Sequence, residues 1–62
     1  MLLKLKAKRV EKGLTQTDMA NKIGIAPATY NHKENGQAYF SFKEILKILE
    51  LLDCRFEDIF LQ

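Results

Sequence analysis

The stretch LTQTDMANKIGIAPATYNHKENG (residues 14–36) decides the fold of this chain. It contains two short segments with apolar residues at helical spacing, one on either side of Gly24. Thr15 precedes the first segment and Asp18 follows three residues later, which is the pattern of a capping box. The second segment begins at Pro27, whose missing N–H is tolerated in the first turn of a helix, and it ends at an Asn-Gly pair. The sequence therefore predicts two helices joined by a tight turn.

The remainder of the chain predicts three further helices and no strand. We expect the five helices to cover residues 2–12, 16–23, 27–35, 42–52 and 56–60, so the fold class is all-α. Ser41 and Glu44 form a second capping box at the start of the fourth helix. Its main apolar stripe is predicted to contain Phe42, Ile45, Leu46, Leu49 and Leu52, with Ile48 and Leu51 lying off that stripe. Phe40 is expected to anchor the preceding loop in the core.

Length and composition limit the classes of protein that the chain can represent. At 62 residues it is expected to be a single domain over residues 1–62, with marginal stability unless it packs economically or dimerises. It contains no long apolar run and no signal peptide, so we expect a cytoplasmic protein with no membrane partner. One cysteine and one histidine exclude an internal disulfide and a zinc-ligand set. No catalytic pair stands at usable spacing, so we expect no enzyme, no cofactor and no small-molecule ligand.

The charge is distributed unevenly along the chain. Residues 1–33 carry seven lysines and arginines against two acids, whereas residues 34–62 carry three against six. The basic half contains the helix pair of residues 14–36. A basic surface on such a pair is typical of a protein that faces phosphates, although a solvated helix face alone would give the same count.

The outward face of the third helix carries short, mostly uncharged side chains. Successive residues of a helix are rotated by about 100°. If Tyr30 points inward, Ala28, Asn31, His32 and Asn35 share the opposite face. An asparagine can pair with adenine through two hydrogen bonds, and an alanine methyl can contact a thymine methyl. Two helices of this kind are typical of a helix-turn-helix, so double-stranded DNA is the predicted partner.

The sequence resembles the Cro/lambda-repressor-like (Xre-type) helix-turn-helix family over nearly its whole length. The features that carry the resemblance occur in the family's order and spacing: Arg9, Gly13, Leu14, Thr15, Gln16, Met19, Ala20, Ile23, Gly24, Ile25, Glu34, Asn35, Gly36, Ser41, Ile45, Leu49 and the terminal Phe56, Glu57, Asp58, Ile59 and Phe60. In particular it resembles short stand-alone regulators of Gram-positive phages and mobile elements. The resemblance implies a compact five-helix DNA-binding domain.

The resemblance also implies roles for individual residues. The residues implied at or beside the DNA are Gln16, Pro27, Ala28, Thr29, Asn31, His32, Gln37 and Tyr39. Among them, Gln16 would contact the backbone from the start of the second helix, and the loop with Gln37 and Tyr39 would lie along the phosphates. The predicted DNA-binding set also contains Thr15, which is first a helix cap, and Asn35 from the outward face. Asn35 is equally well explained as a helix-end residue. Arg9 and Glu34 match an ion pair that ties the first helix to the third.

The chain departs from the family at three positions. Lys8 and Lys33 stand where members usually have apolar core residues, so their stems are expected to line the core while their amines reach solvent or acids. Ala26 replaces the usual serine-type cap before the third helix.

The predicted function is a sequence-specific transcriptional regulator, a repressor that binds a near-palindromic operator as a homodimer. Apolar residues in excess of the needs of a small core, namely Leu51, Phe60 and Leu61, are the predicted dimer interface, with completion of the monomer core as the alternative. Two other functions stay open: a helical protein–protein adaptor, or the antitoxin or controller component of a two-protein system.

Overall fold

The computed structural model describes residues 2–61. Within that range the chain forms five helices: α1 (Leu3–Glu11), α2 (Gln16–Ile23), α3 (Pro27–Glu34), α4 (Phe42–Leu52) and α5 (Phe56–Ile59). The all-α, five-helix prediction is therefore confirmed, with the ends of the predicted helices shifted by one residue or less. Asn35 lies just outside α3 as its C-terminal cap. None of these helices is long and apolar enough to cross a membrane.

Side chains at the helix starts determine where α2 and α4 begin. The Thr15 hydroxyl accepts from the Asp18 N–H at 3.0 Å, and the Asp18 carboxylate accepts from the Thr15 N–H at 2.9 Å. Ser41 and Glu44 make the same reciprocal pair at 3.2 and 2.9 Å. Both predicted capping boxes are thus present, and each satisfies N–H groups that a helix start otherwise leaves unpaired.

The turn between α2 and α3 depends on Gly24. Its φ of 82° places it in the left-handed region, which residues with a Cβ adopt only at a cost. The Gly24 and Ile25 N–H groups both donate to the Ala20 carbonyl, at 2.9 and 3.0 Å. The turn ends α2 and redirects the chain, and α3 then begins at Ala26-Pro27 without a side-chain cap. The two segments are therefore separate helices that pack against each other.

The core lies between all five helices. Its buried apolar members are Leu5, Met19, Ala20, Ile23, Tyr30, Ile48, Leu52 and Ile59. Phe40 packs against this core as predicted, with its ring 5.7 Å from that of Tyr30 and 6.0 Å from that of Phe60. Burial of a large apolar side chain contributes about 1.5–3 kcal/mol, so these contacts hold the short helices together.

The predicted apolar stripe of α4 is confirmed at Leu49 and Leu52, which lie against or in the core, and is wrong at Phe42 and Leu46. Ile48, which was placed off the stripe, is fully buried, whereas Phe42 and Leu46 are 74% and 50% exposed. The rotation of α4 is consistent with the hydrogen bond between the Lys33 amine and the Glu44 carboxylate, 2.7 Å long, which turns that side of the helix towards α3. The inner side is thereby centred on Ile48 and Leu52, and the outer side carries Phe42 and Leu46.

Candidate nucleic-acid interface

One side of α3 is held in the molecule and the other side is open to solvent. Tyr30 and Glu34 are 0% and 1% exposed and face inward. The exposed positions of this helix are Pro27, Ala28, Thr29 and His32. The predicted orientation of Tyr30 therefore agrees with the structure. Because the exposed side chains are small or uncharged, the helix can approach a flat or grooved surface closely.

Arg9 and Glu34 form a buried ion pair between α1 and α3. The Arg9 Nε and Nη2 atoms donate to the two Glu34 oxygens at 2.9 and 3.2 Å, and Nη1 donates to the Leu14 carbonyl at 2.7 Å. The Tyr30 hydroxyl donates to the same carboxylate at 2.7 Å. The carboxylate therefore joins α1, the chain before α2, and α3 at one point.

The titration of this cluster follows from burial and hydrogen bonding. Burial acts to raise the pKa of Glu34, but hydrogen bonds from Arg9, Tyr30 and Gln16 outweigh it, and the pKa lies below its ordinary value. Burial, together with the hydrogen bond to Glu34, raises the pKa of the Tyr30 hydroxyl. Glu34 is thus an anion and Tyr30 a neutral donor at physiological pH.

A chain of amide hydrogen bonds leads from this ion pair to the surface of α3. The Gln16 amide donates to Glu34 at 3.1 Å, and the Gln16 oxygen accepts from Asn31 at 2.9 Å. Asn35 in turn donates to the Asn31 oxygen at 3.2 Å. The start of α2 lies so close to α3 that these polar groups satisfy one another within the molecule.

This series of hydrogen bonds corrects the prediction that Asn31 and Asn35 are open to solvent. Both were expected to be open to solvent on the outward face with Ala28 and His32, yet both are only partly exposed and hydrogen-bonded internally. A two-bond contact of Asn31 with adenine uses the amide and the oxygen together, and both already have partners here. Each internal bond uses one of the two amide hydrogens or one of the two oxygen lone pairs, so it restricts the orientation of Asn31 and leaves the other hydrogen and lone pair for a base edge. The helical spacing of α3 could not predict these hydrogen bonds, because they depend on the angle at which α2 crosses α3.

The start of α2 and the end of α1 line an open depression beside α3. Its lining includes Lys6, Arg9, Thr15, Gln16 and Thr17. The first N–H groups of a helix and nearby cations favour an anion. Asp18 reduces that preference, because the hydrogen bond from the Thr15 backbone keeps the pKa of its carboxyl below the ordinary value.

The loop between α3 and α4 is attached at both ends and exposed in the middle. At its start the Gln37 N–H donates to the His32 carbonyl at 2.8 Å. At its end Phe40 packs on the core. Gln37 and Tyr39 are exposed between these points, and Tyr39 is 96% exposed. The loop lies directly after α3 in the chain, so α3, the loop and the start of α2 are the elements that carry all of the predicted DNA contacts.

Other predicted features lie apart from this surface. The stem of Lys33 is mostly buried and its amine bonds Glu44, as the departure from the family pattern predicted. Leu51 and Phe60 are partly buried against the chain's own core, whereas Leu61 is 55% exposed. Within residues 2–61 no three His, Cys, Asp or Glu side chains are grouped in a way that could hold a metal ion. Burial, and then the nearby Asp58, raises the pKa of the Cys54 thiol, which makes it a weak nucleophile.

Comparison with known proteins gives two matches over most of the chain. A family model described as helix-turn-helix matches residues 5–59. An uncharacterised HTH-type transcriptional regulator of Methanocaldococcus jannaschii is 38% identical over 58 residues. That alignment covers 94% of this chain and 88% of the archaeal protein.

Proposed function

Since this chain belongs to the helix-turn-helix family, we propose that it is a DNA-binding transcriptional regulator, and more specifically a repressor that acts as a dimer on a near-palindromic operator. The observation that carries the proposal is the division of α3 into two sides. Tyr30 and Glu34 fix it to the core, and its other side is open. In the family's motif the second helix enters the major groove in this way.

The proposed complex places α3 in the major groove and two flanking elements on the phosphates. Thr15 and Gln16 would contact the backbone from the start of α2, where N–H groups and Lys6 favour an anion. Gln37 and Tyr39 would contact the backbone from the exposed loop after α3. These contacts set the position of the protein on the duplex without selecting a base sequence.

Sequence selection is assigned to the open side of α3. His32 is exposed and makes no side-chain hydrogen bond with the described residues, so its ring nitrogens are available to base edges. Pro27, Ala28 and Thr29 offer apolar contacts, including methyl groups that suit thymine. Asn31 and Asn35 help to position α3 through their hydrogen bonds, and each retains a donor and an acceptor for a base edge. DNA shape supplies further selection.

Repression follows in this proposal from occupancy of a promoter. Residues 1–62 act as one DNA-binding unit, and two copies bind two half-sites about one helical turn apart. The positive charge of the first half of the chain supports attraction to DNA before specific contacts form.

Selection of bound fragments from a pool of random duplex DNA tests this function. We expect enrichment of a motif with twofold symmetry, and an affinity that falls steeply as salt concentration rises. Absence of enrichment would contradict the proposal, and co-purification of a second protein would then favour the adaptor or two-protein alternatives.

Two matched variants test the assignment of α3. His32→Ala is expected to change or relax the preferred base at one position of each half-site, with unchanged thermal stability because the side chain is exposed. The control is Asn21→Ala, which removes an exposed polar side chain from α2. Equal effects of the two variants on the selected motif would show that α3 does not select the sequence.

A further inference from the structure

The outer side of α4 exposes large apolar side chains. Phe42 is 74% exposed and Leu46, one turn later, is 50% exposed. Leu49 continues the row and is partly buried at its edge. We call this row, with Lys43 and Glu50 beside it, the α4 face. Exposed apolar side chains that adjoin one another on a small protein are typical of a contact surface.

Phe42 and Leu46 do not pack on the core within the described part of the chain. The core is completed from the other side of the helix by Ile48 and Leu52, both 0% exposed. The start of the helix is already satisfied by the Ser41–Glu44 capping box. Phe42 and Leu46 therefore add little to the stability of the folded monomer, and their exposure to water is unfavourable.

The charged residues beside the apolar row are complementary to those of a second α4 helix that runs antiparallel to the first. Lys43 and Glu50 are exposed, seven residues apart, and thus lie two turns apart on the same flank of the row. Neither forms a salt bridge with another residue in the 2–61 range. In an antiparallel copy of α4 the order is reversed, so Lys43 of each copy meets Glu50 of the other. In a parallel twofold pair the two flanks lie on opposite sides of the contact, so Lys43 and Glu50 of the two copies do not meet.

We propose that the α4 face binds a second copy of this chain, with the two α4 helices antiparallel across a twofold axis near Leu46. Phe42 and Leu46 of both copies form the apolar centre, and two Lys43–Glu50 pairs flank it. A twofold interface uses the same surface on both partners, which this self-complementary pattern satisfies. The charges fix the antiparallel direction, as flanking charges do in helix pairs generally.

This face differs from the dimer surface predicted from the sequence. Of Leu51, Phe60 and Leu61, the first two pack on the chain's own core, and Phe60 also stacks on Phe56 with ring centres 5.0 Å apart. They have less apolar surface to offer than Phe42 and Leu46. The inference deepens the dimer of the proposed function, and it is tested without DNA so that its failure leaves DNA binding unaffected.

Charge reversal tests the proposal by analytical ultracentrifugation at low salt over a micromolar concentration series. Lys43→Glu and Glu50→Lys are each expected to weaken dimerisation roughly tenfold, because each change makes two attractive pairs repulsive. The double variant Lys43→Glu/Glu50→Lys restores both pairs in reverse and keeps the net charge of the natural chain, so its dimer affinity should return to nearly the original value. Lys6→Glu, the same charge change at an exposed site on α1, is the control and should have little effect.

Substitution of the apolar centre gives an independent test. Leu46→Lys should make the protein monomeric throughout the series, while its circular dichroism still shows a folded helical protein, because the side chain is half exposed and lies outside the core. The matched substitution Leu61→Lys should leave the dimer intact. The proposal is overturned if the natural chain stays monomeric, or if the double variant dimerises no more tightly than the single variants. It is also overturned if Leu61→Lys dissociates the dimer and Leu46→Lys does not.

Discussion

Replacing Arg9 by methionine is the change that most directly tests how α3 is held. It removes the two hydrogen bonds, 2.9 and 3.2 Å long, that pair Arg9 with Glu34. The Glu34 carboxylate then stays in a site where its side chain is 1% exposed. Removal of one partner from a buried ion pair destabilises proteins by about 3–5 kcal/mol, because the remaining charge is desolvated without compensation.

That loss is large relative to the stability of so short a chain. Domains have a free energy of unfolding of about 0.05–0.15 kcal/mol per residue, or roughly 3–9 kcal/mol for a chain of this length. We therefore expect Arg9→Met to lose between about a third and all of its folding stability at room temperature. Urea unfolding followed by far-ultraviolet circular dichroism measures the change in free energy.

Two further variants separate the buried charge from the loss of packing. Arg9→Met/Glu34→Met removes both charges, and it should be more stable than the single variant. Its remaining loss, about 1–3 kcal/mol, comes from the Tyr30 hydroxyl and the Gln16 amide, which lose their acceptor, and from the Leu14 carbonyl, which loses its donor. Lys8→Met is the control, since its contact with Glu11 is 3.9 Å long, with side chains 30% and 67% exposed, and should contribute under about 1 kcal/mol. A loss below about 1 kcal/mol for Arg9→Met, or a double variant no better than the single one, would refute the reasoning.

Three other predictions concern stability. Glu34 and Glu44 have pKa values below the ordinary 4.5 in the folded chain. The stability that they supply is therefore complete above pH 4.5 and is lost as the pH falls through the lowered pKa values. Urea midpoints measured in a pH series should show this loss, and the loss should be smaller in Glu34→Gln. Ser41→Ala removes the cap of α4 and should lower the unfolding free energy by about 0.5–2 kcal/mol, whereas no change in the urea midpoint would count against the cap. Gly24→Ala meets no atom within 4 Å, so its expected loss of about 1–2 kcal/mol comes from the left-handed backbone alone, and an unchanged thermal midpoint would contradict that assignment.

Local signals made most of the fold predictable. The capping residues Thr15 and Ser41 set helix starts through contacts three residues away, and Gly24 set a turn through its own backbone. Such features are encoded within one helical turn, so the sequence alone contains them. The resemblance to the helix-turn-helix family was likewise confirmed, because its motifs extend over most of the chain.

The rotation of α4 was not predictable in the same way. Seven of its eleven residues are apolar, so several faces of the helix satisfy a helical spacing equally well. Its inner side was decided by packing and by the bond between Lys33 and Glu44, which joins residues from different helices. The partners of Asn31 were hidden for a similar reason, since Gln16 is fifteen positions away in the chain.

The exposed side of α3 can change in evolution with little effect on the fold. The helix is attached to the rest of the molecule through Tyr30, Asn31, Lys33 and Glu34, and its other four positions are exposed. Mutations at Ala28, Thr29 and His32 are therefore largely uncoupled from folding, whereas Pro27 also begins the helix. A lineage can exchange these side chains singly, and so drift from one target to another, while every intermediate still folds.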